Sequence, residues 1–343
     1  MEQGVITKQD LPKFLRLIKD AVVYAPVERE RGLVFERLTE DDSICFDYIT
    51  VRESAKGIFF PQREVLCSFE DGDLKEVPLD ENNYVVFGLR PCDATAITFL
   101  DEVFSDQFSK FKDPYYLSRR ENSILITLTC NETADTCFCT TTGGDPAGTR
   151  GADILATDLG EKLLFEAVTE AGDKLMKAHK DSFKQAAEAD LKEREELAEE
   201  ARKQLTAIDI EGLKQKLDED FDDEDWAKVT ANCLGCGACT YLCPTCHCFD
   251  ITDEKNKTGF GLRLRSWDSC QYPLFTKHAS GHNPRVNKTQ RMRQRIMHKF
   301  SYTIEKTDDI FCVGCGRCIS NCPVNLDIRD ILKTFAQKPI AQK

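Results

Sequence analysis

At 343 residues, 41% hydrophobic and 31% charged, the chain has ordinary globular composition and length for about two domains. No apolar run nears the roughly 18 residues that cross a bilayer, and the composition excludes a collagenous, low-complexity or wholly disordered chain. The net charge of −13 is unevenly spread: residues 1–150 carry −10, 151–228 carry −11 and 229–343 carry +8, so only the last third is basic.

The amino terminus, MEQGVITKQDLPKFLRLIKDAV, has acids and lysines where a secretory signal needs an uninterrupted apolar stretch, and a cytoplasmic location is expected. Against that location the 17 cysteines stand out. An odd number of thiols in a compartment where disulfides rarely persist points to metal or redox chemistry.

From 33 to 130, alternating apolar segments predict strands, among them REVLCSF, NYVVFGL and SILITLT, with a helix at about 93–105. Cys45 and Cys67 fall inside strand patterns and are expected in the core. Cys92 follows NYVVFGL, and Asp93 is a candidate N-cap for ATAITFLDEVF, which puts Cys92 at a helix N-terminus, where thiolates are favoured. Cys130 ends SILITLTC, and Cys137-Phe138-Cys139 follows. Four cysteines at the ends of core elements are what a 4Fe-4S cluster needs, but spacing alone leaves free buried thiols equally open. TTGGDPAGTRG at 141–151 is glycine-rich without the pattern of a nucleotide-binding loop.

The stretch DILATDLGEKLLFEAV reads as a hairpin turning at Asp158-Leu159-Gly160, with an amphipathic helix as the alternative. At about 172–204 the sequence is rich in helix formers and charge, with Leu191, Leu197 and Leu205 supplying a thin apolar stripe, and reads as a solvated linking helix. The acidic run at 218–226 marks a boundary. The expected class is therefore α+β: a mixed α+β domain at 1–171, a charged helical linker at 172–228, and a helix-rich, ferredoxin-like domain at 229–343.

That last domain carries the strongest signal. Cys233, Cys236, Cys239 and Cys243-Pro244, and again Cys312, Cys315, Cys318 and Cys322-Pro323, both read C-x2-C-x2-C-x3-C-P. Three thiolates at this spacing curl round one corner of a 4Fe-4S cubane, and in two-cluster ferredoxins the fourth cysteine ligates the other cluster. Cys233, Cys236 and Cys239 with Cys322 then hold one cluster; Cys312, Cys315 and Cys318 with Cys243 hold the second. The two runs must fold against each other. Structural zinc also uses CxxC pairs, but typically as two pairs or with histidines. The basic balance of the domain suits an anionic cluster, although a solvated basic face explains isolated lysines as well.

Between the runs lie three surplus cysteines, Cys246, Cys248 and Cys270. They admit packing round the clusters, a further metal site with His247 or His282, or dithiol chemistry. Arg291, Arg293, Arg295 and Lys299 are spaced so as nearly to surround a helix, without the interleaved aromatics of nucleic-acid binding. No hydrolase triad is discernible.

With these residues in view, the chain resembles the β-subunit family of cytoplasmic sulfhydrogenases, which also contains an iron–sulfur subunit of anaerobic sulfite reductase. The resemblance runs through the APV element near Tyr24 to Val27, Arg90 to Asp93, Cys130 with Cys137-Phe-Cys139, Cys233 to Cys248, Arg265 to Cys270, Gly281 to Asn283, and the Cys312–Cys322 run. It implies an electron relay between a flavin subunit that uses NAD(P)H and a catalytic partner such as a nickel–iron hydrogenase or a sirohaem reductase, by a chain that is not catalytic alone. It also implies a third 4Fe-4S cluster on Cys92, Cys130, Cys137 and Cys139. Two rivals remain: a catalytic iron–sulfur subunit that turns over a disulfide or sulfur substrate through Cys246, Cys248 and Cys270, and a zinc scaffold. No nucleic-acid partner and no membrane span are expected.

Overall fold

A computed structural model describes residues 1–70, 72–107, 110–257 and 259–339. A strand covered on both faces needs apolar side chains throughout, so that each face has a core to enter, and NYVVFGL meets that demand. It forms the central strand of a seven-stranded mixed sheet made of β1 (Gln3–Thr7), β2 (Ala21–Arg29), β3 (Gly32–Arg37), β6 (Asn83–Leu89), β7 (Ser123–Leu128), β8 (Ile154–Asp158) and β9 (Lys162–Ala167). The order across the sheet is β1-β9-β8-β7-β6-β2-β3, with β2, β6, β7 and β8 parallel to their neighbours in that group and the outer pairings antiparallel.

Along β6 the side chains alternate between two cores, as the pleat requires. Val85 and Phe87 join Phe14, Leu15, Phe165 and Met176 on one face; Val86 and Leu89 join Ile97, Leu100, Phe104 and Tyr116 on the other. Helices Leu11–Leu17 and Glu170–Ala178 cover the first face, and Pro91–Phe104 with Pro114–Glu121 the second. The segment at 154–167 is the β8–β9 hairpin. The stretch read as one linking helix is two helices, Glu170–Ala178 and Glu188–Lys203, separated by a short 3-10 turn at Lys180–Ser182.

A second, antiparallel sheet has the order β10-β11-β4-β5, built from β4 (Arg63–Glu70), β5 (Asp73–Glu76), β10 (Phe249–Lys255) and β11 (Gly261–Trp267). The hairpin that follows the first cysteine run thus completes a sheet begun before residue 80. Arg265 of β11 is buried between Glu64 of β4 and Asp113, which ties this sheet to the N-cap of helix Pro114–Glu121.

The remaining helices form a third core. Trp226 stacks on Phe335 at 4.1 Å, and Leu217, Ile296, Phe300 and Leu332 fill in around them. Helix Lys288–Met297 starts at a reciprocal cap: Asn287 Oδ1 accepts from Gln290 N–H at 2.9 Å, and Asn287 N–H donates to Gln290 Oε1 at 3.2 Å. Among the described residues no helix is long and apolar enough to cross a membrane.

Candidate metal centres

Each cysteine run is a loop followed by one short helix, Ala238–Tyr241 in the first and Arg317–Ser320 in the second. The two helices pack together, so the runs lie side by side although 68 residues separate Cys243 from Cys312. Cys233, Cys236 and Cys239 of the first run and Cys322 of the second wall one cavity of about 410 Å³, mouth included. Met292, Val324 and Leu326 close it with apolar surface. Two backbone amides meet the sulfurs: Gly235 N–H donates to Cys233 Sγ at 3.4 Å, and Leu326 N–H to Cys322 Sγ at 3.2 Å. Sulfur ligands receiving amide hydrogen bonds in apolar surroundings fit a 4Fe-4S cluster, whose potential is set by such bonds and by exposure. Cys236 is exposed and Cys233 buried, so this group meets the surface on the Cys236 side.

Cys312, Cys315 and Cys318 gather deeper, with Cys243 within electrostatic reach of all three. Burial first, and the neighbouring sulfur second, raise these thiols, Cys315 to about 11. Filling such a site with metal therefore expels protons. Among the described residues no three His, Cys, Asp or Glu side chains converge tightly enough to hold a single metal ion. A cubane asks for a wider spread, because each thiolate binds its own iron.

The N-terminal cysteines are assembled by sheet register. β6 and β7 are parallel neighbours with Leu89 opposite Thr127, and Cys92 and Cys130 each come three residues later, at the same end of the sheet. Cys139 is pushed up to about 12, chiefly by burial and then by Cys130 and Cys137 beside it, and Cys92 feels both Cys130 and Cys315. This group rests directly on the second run. Phe138 N–H donates to Gly314 C=O at 2.8 Å, and a Cβ on Gly314 (φ 59°) would stand 2.5 Å from the backbone of Phe138 and Cys139. Only glycine allows that approach.

Cations are buried among these loops. Arg291, Arg295 and Lys299 recur every four residues and are buried together, rather than surrounding their helix. Arg295 donates to Cys239 C=O at 2.8 Å; Lys299 Nζ donates to Phe311 C=O at 2.7 Å and Thr245 Oγ1 at 2.6 Å. Burial opposes the Lys299 charge, but Cys243 and Cys246 beside it keep the ammonium above its ordinary value. Two further charges were invisible in the spacing. Lys56, from helix Lys56–Phe59, donates to the carbonyls of Thr240, Cys243 and Cys246 at 3.3, 2.9 and 3.0 Å, with burial lowering it to about 8. Asp93 is not the N-cap: Arg90 holds that position, Pro91 opens the helix, and the Asp93 carboxylate instead pairs with Arg317 through two contacts of 2.8 and 2.9 Å. Cys92 does lie in the first helical turn, yet burial followed by the Asp93 charge drives its thiol up, against the helix terminus.

Of the surplus cysteines, Cys246 shares a hydrogen bond with Cys243, and Cys248 with Cys270. The second pair is made by the β10–β11 hairpin, in which Phe249 faces Trp267 and Asp268 N–H donates to Cys248 C=O at 2.9 Å. His247 is buried, its Nδ1 3.1 Å from Thr245 C=O and its ring edge-on to His298 at 5.4 Å. His282 is elsewhere, its ring 5.3 Å from that of His278. Cys45 is not a core residue; it is half-buried in an irregular segment, whereas Cys67 is buried in β4.

The 4Fe-4S dicluster domain family matches residues 232–326, which takes in both cysteine runs. The chain is also similar to sulfhydrogenase 2 subunit beta of Pyrococcus furiosus, at 32% identity over 318 residues, covering 92% of this chain and 93% of that protein.

Proposed function

The chain belongs to the family of sulfhydrogenase β subunits, and from that premise we propose that it relays electrons between a flavin subunit that handles NAD(P)H and a catalytic oxidoreductase subunit of a cytoplasmic complex. The observation that carries the reading is the serial placement of three cysteine groups. Cys92, Cys130, Cys137 and Cys139 adjoin the Cys312, Cys315, Cys318 and Cys243 group through the Phe138–Gly314 contact, and that group adjoins Cys233, Cys236, Cys239 and Cys322 through the paired short helices. Each group is assigned one 4Fe-4S cluster, three in all. Such clusters, when bound, take up and release single electrons. The chain's own part is placement and potential: Arg295, Lys299 and Arg317 hold positive charge beside the sulfurs, and exposed Cys236 offers one end of the series to a partner.

Redox titration followed by electron paramagnetic resonance tests the assignment on anaerobically purified protein. Three reducible signals are expected, and Cys130→Ser should remove one while leaving the two ferredoxin-type signals. Loss of all three in a folded Cys130→Ser chain, or only two signals in the parent, would refute the third site.

A second reading has one observation behind it, the Cys248–Cys270 contact. A catalytic role on a disulfide or sulfur substrate predicts that Cys270→Ser abolishes turnover of the intact complex with every cluster signal unchanged. Retained turnover removes it.

A further inference from the structure

On the side of the Cys239–Cys243 loop remote from the first cysteine cavity lies a cleft of about 1220 Å³, mouth included, that no cysteine lines. Its walls come from both sheets and the loop itself: Tyr24 of β2, Phe35 of β3, Tyr84 of β6, Trp267 of β11, and Tyr241 from between the cysteines. Five aromatic rings round one space form a wall for a flat, polarisable guest.

The charge in that wall has one sign. Asp80 and the exposed Glu53 supply carboxylates. Burial works against the Asp80 charge, but hydrogen bonds from the Tyr84 hydroxyl at 2.5 Å and the Asn82 N–H at 3.0 Å hold its carboxyl below the ordinary value. The wall's cation, Arg119, is already spent: it lies 2.6 Å from Glu64 and its Nε donates to Phe59 C=O at 3.0 Å. Ser54, 8% exposed, keeps a buried hydroxyl that makes no hydrogen bond among the described residues. Aromatic faces attract a cation within about 6 Å of the ring centre. Carboxylates with no free cation repel an anionic ring, and a buried hydroxyl without a partner favours a guest that can hydrogen-bond.

We propose that this cleft binds a planar aromatic cation of the pyridinium class, bearing a polar substituent that pairs with the Ser54 hydroxyl. The site stands apart from the electron-relay reading, though a bound ring would press on the loop that joins Cys239 to Cys243.

Calorimetric titration of the cluster-loaded chain with 1-methylnicotinamide tests it, with nicotinate as the planar anion. Gly57 lies in the cleft wall, and a Cβ there would meet only Trp267, at 3.9 Å, so Gly57→Leu fills the space without forcing the backbone. Saturable one-site binding is expected for the parent, at least ten-fold weaker in Gly57→Leu and several-fold weaker in Glu53→Gln, with no saturable uptake of nicotinate. Absence of binding, equal binding of nicotinate, or unchanged affinity in a folded Gly57→Leu chain overturns the proposal. Should Gly57→Leu not fold, the surface change Glu53→Gln decides alone: unchanged affinity overturns it. Iron measured on the same samples keeps a failed relay assignment distinct from a failed site.

Discussion

Arg317 and Asp93 are 224 positions apart and form an ion pair with side chains only 1% and 2% exposed. Neither residue is notable in its own neighbourhood, which is why sequence reading gave Asp93 a capping role: its partner is fixed by tertiary structure. The cysteines are the opposite case, because ligand spacing within a loop is a local property and is visible in the chain. Arg317→Met leaves a buried carboxylate unpaired and is expected to cost about 3–5 kcal/mol in denaturant unfolding, whereas adding Asp93→Asn should restore much of the loss. A double variant as unstable as the single would show that Arg317 matters mainly through its bond to Val51 C=O, at 2.8 Å. His298 sets a pH dependence. Burial, then the neighbouring His247, lowers it from 6.5 to about 3. As pH falls through 6.5 the unfolded chain takes up this proton and the folded chain does not until about 3, so the histidine's share of stability is present above 6.5 and drains across that window. His298→Gln should flatten the acid limb by about 1 kcal/mol per pH unit below pH 6, read as unfolding free energy against pH; parallel curves for variant and parent would contradict this.

At the scale of elements, the strands were legible where a period of two or a continuous apolar run marked them, as in NYVVFGL and the 154–167 hairpin. What the chain could not reveal was which ends meet. Cys92 and Cys130 come together because β6 and β7 are parallel and in register, and parallel pairing across an intervening helix leaves no mark in local spacing. The basic helix shows the same gap: Arg291, Arg295 and Lys299 already had the four-residue spacing of one face, but the cysteine loops that bury this face come from distant segments. The contact of Phe138 and Cys139 with Gly314 is the hinge of this level. Gly314→Ala puts a methyl 2.5 Å from that backbone and should displace the N-terminal cysteine loop. Iron content is expected to fall by at least about four atoms per chain, with the far-ultraviolet circular dichroism retained. Full iron content in the variant would show that the loops dock independently of the glycine.

For the whole molecule, the acidic N-terminal region and the basic C-terminal one are opposite in charge but not separate in structure, since β11 pairs with β4 and Lys56 caps the first cysteine run. Composition showed the change of character at the acidic run; it could not show that one antiparallel sheet spans it. This construction sets the three cysteine groups against one another and leaves Cys236 exposed at one end. The most direct measurement is iron and acid-labile sulfide per chain in anaerobically purified protein. The account predicts about 12 of each, with reducible, paramagnetic centres. About 8 of each would reduce the N-terminal cysteines to packing, and a colourless, zinc-bearing protein without sulfide would contradict the account altogether.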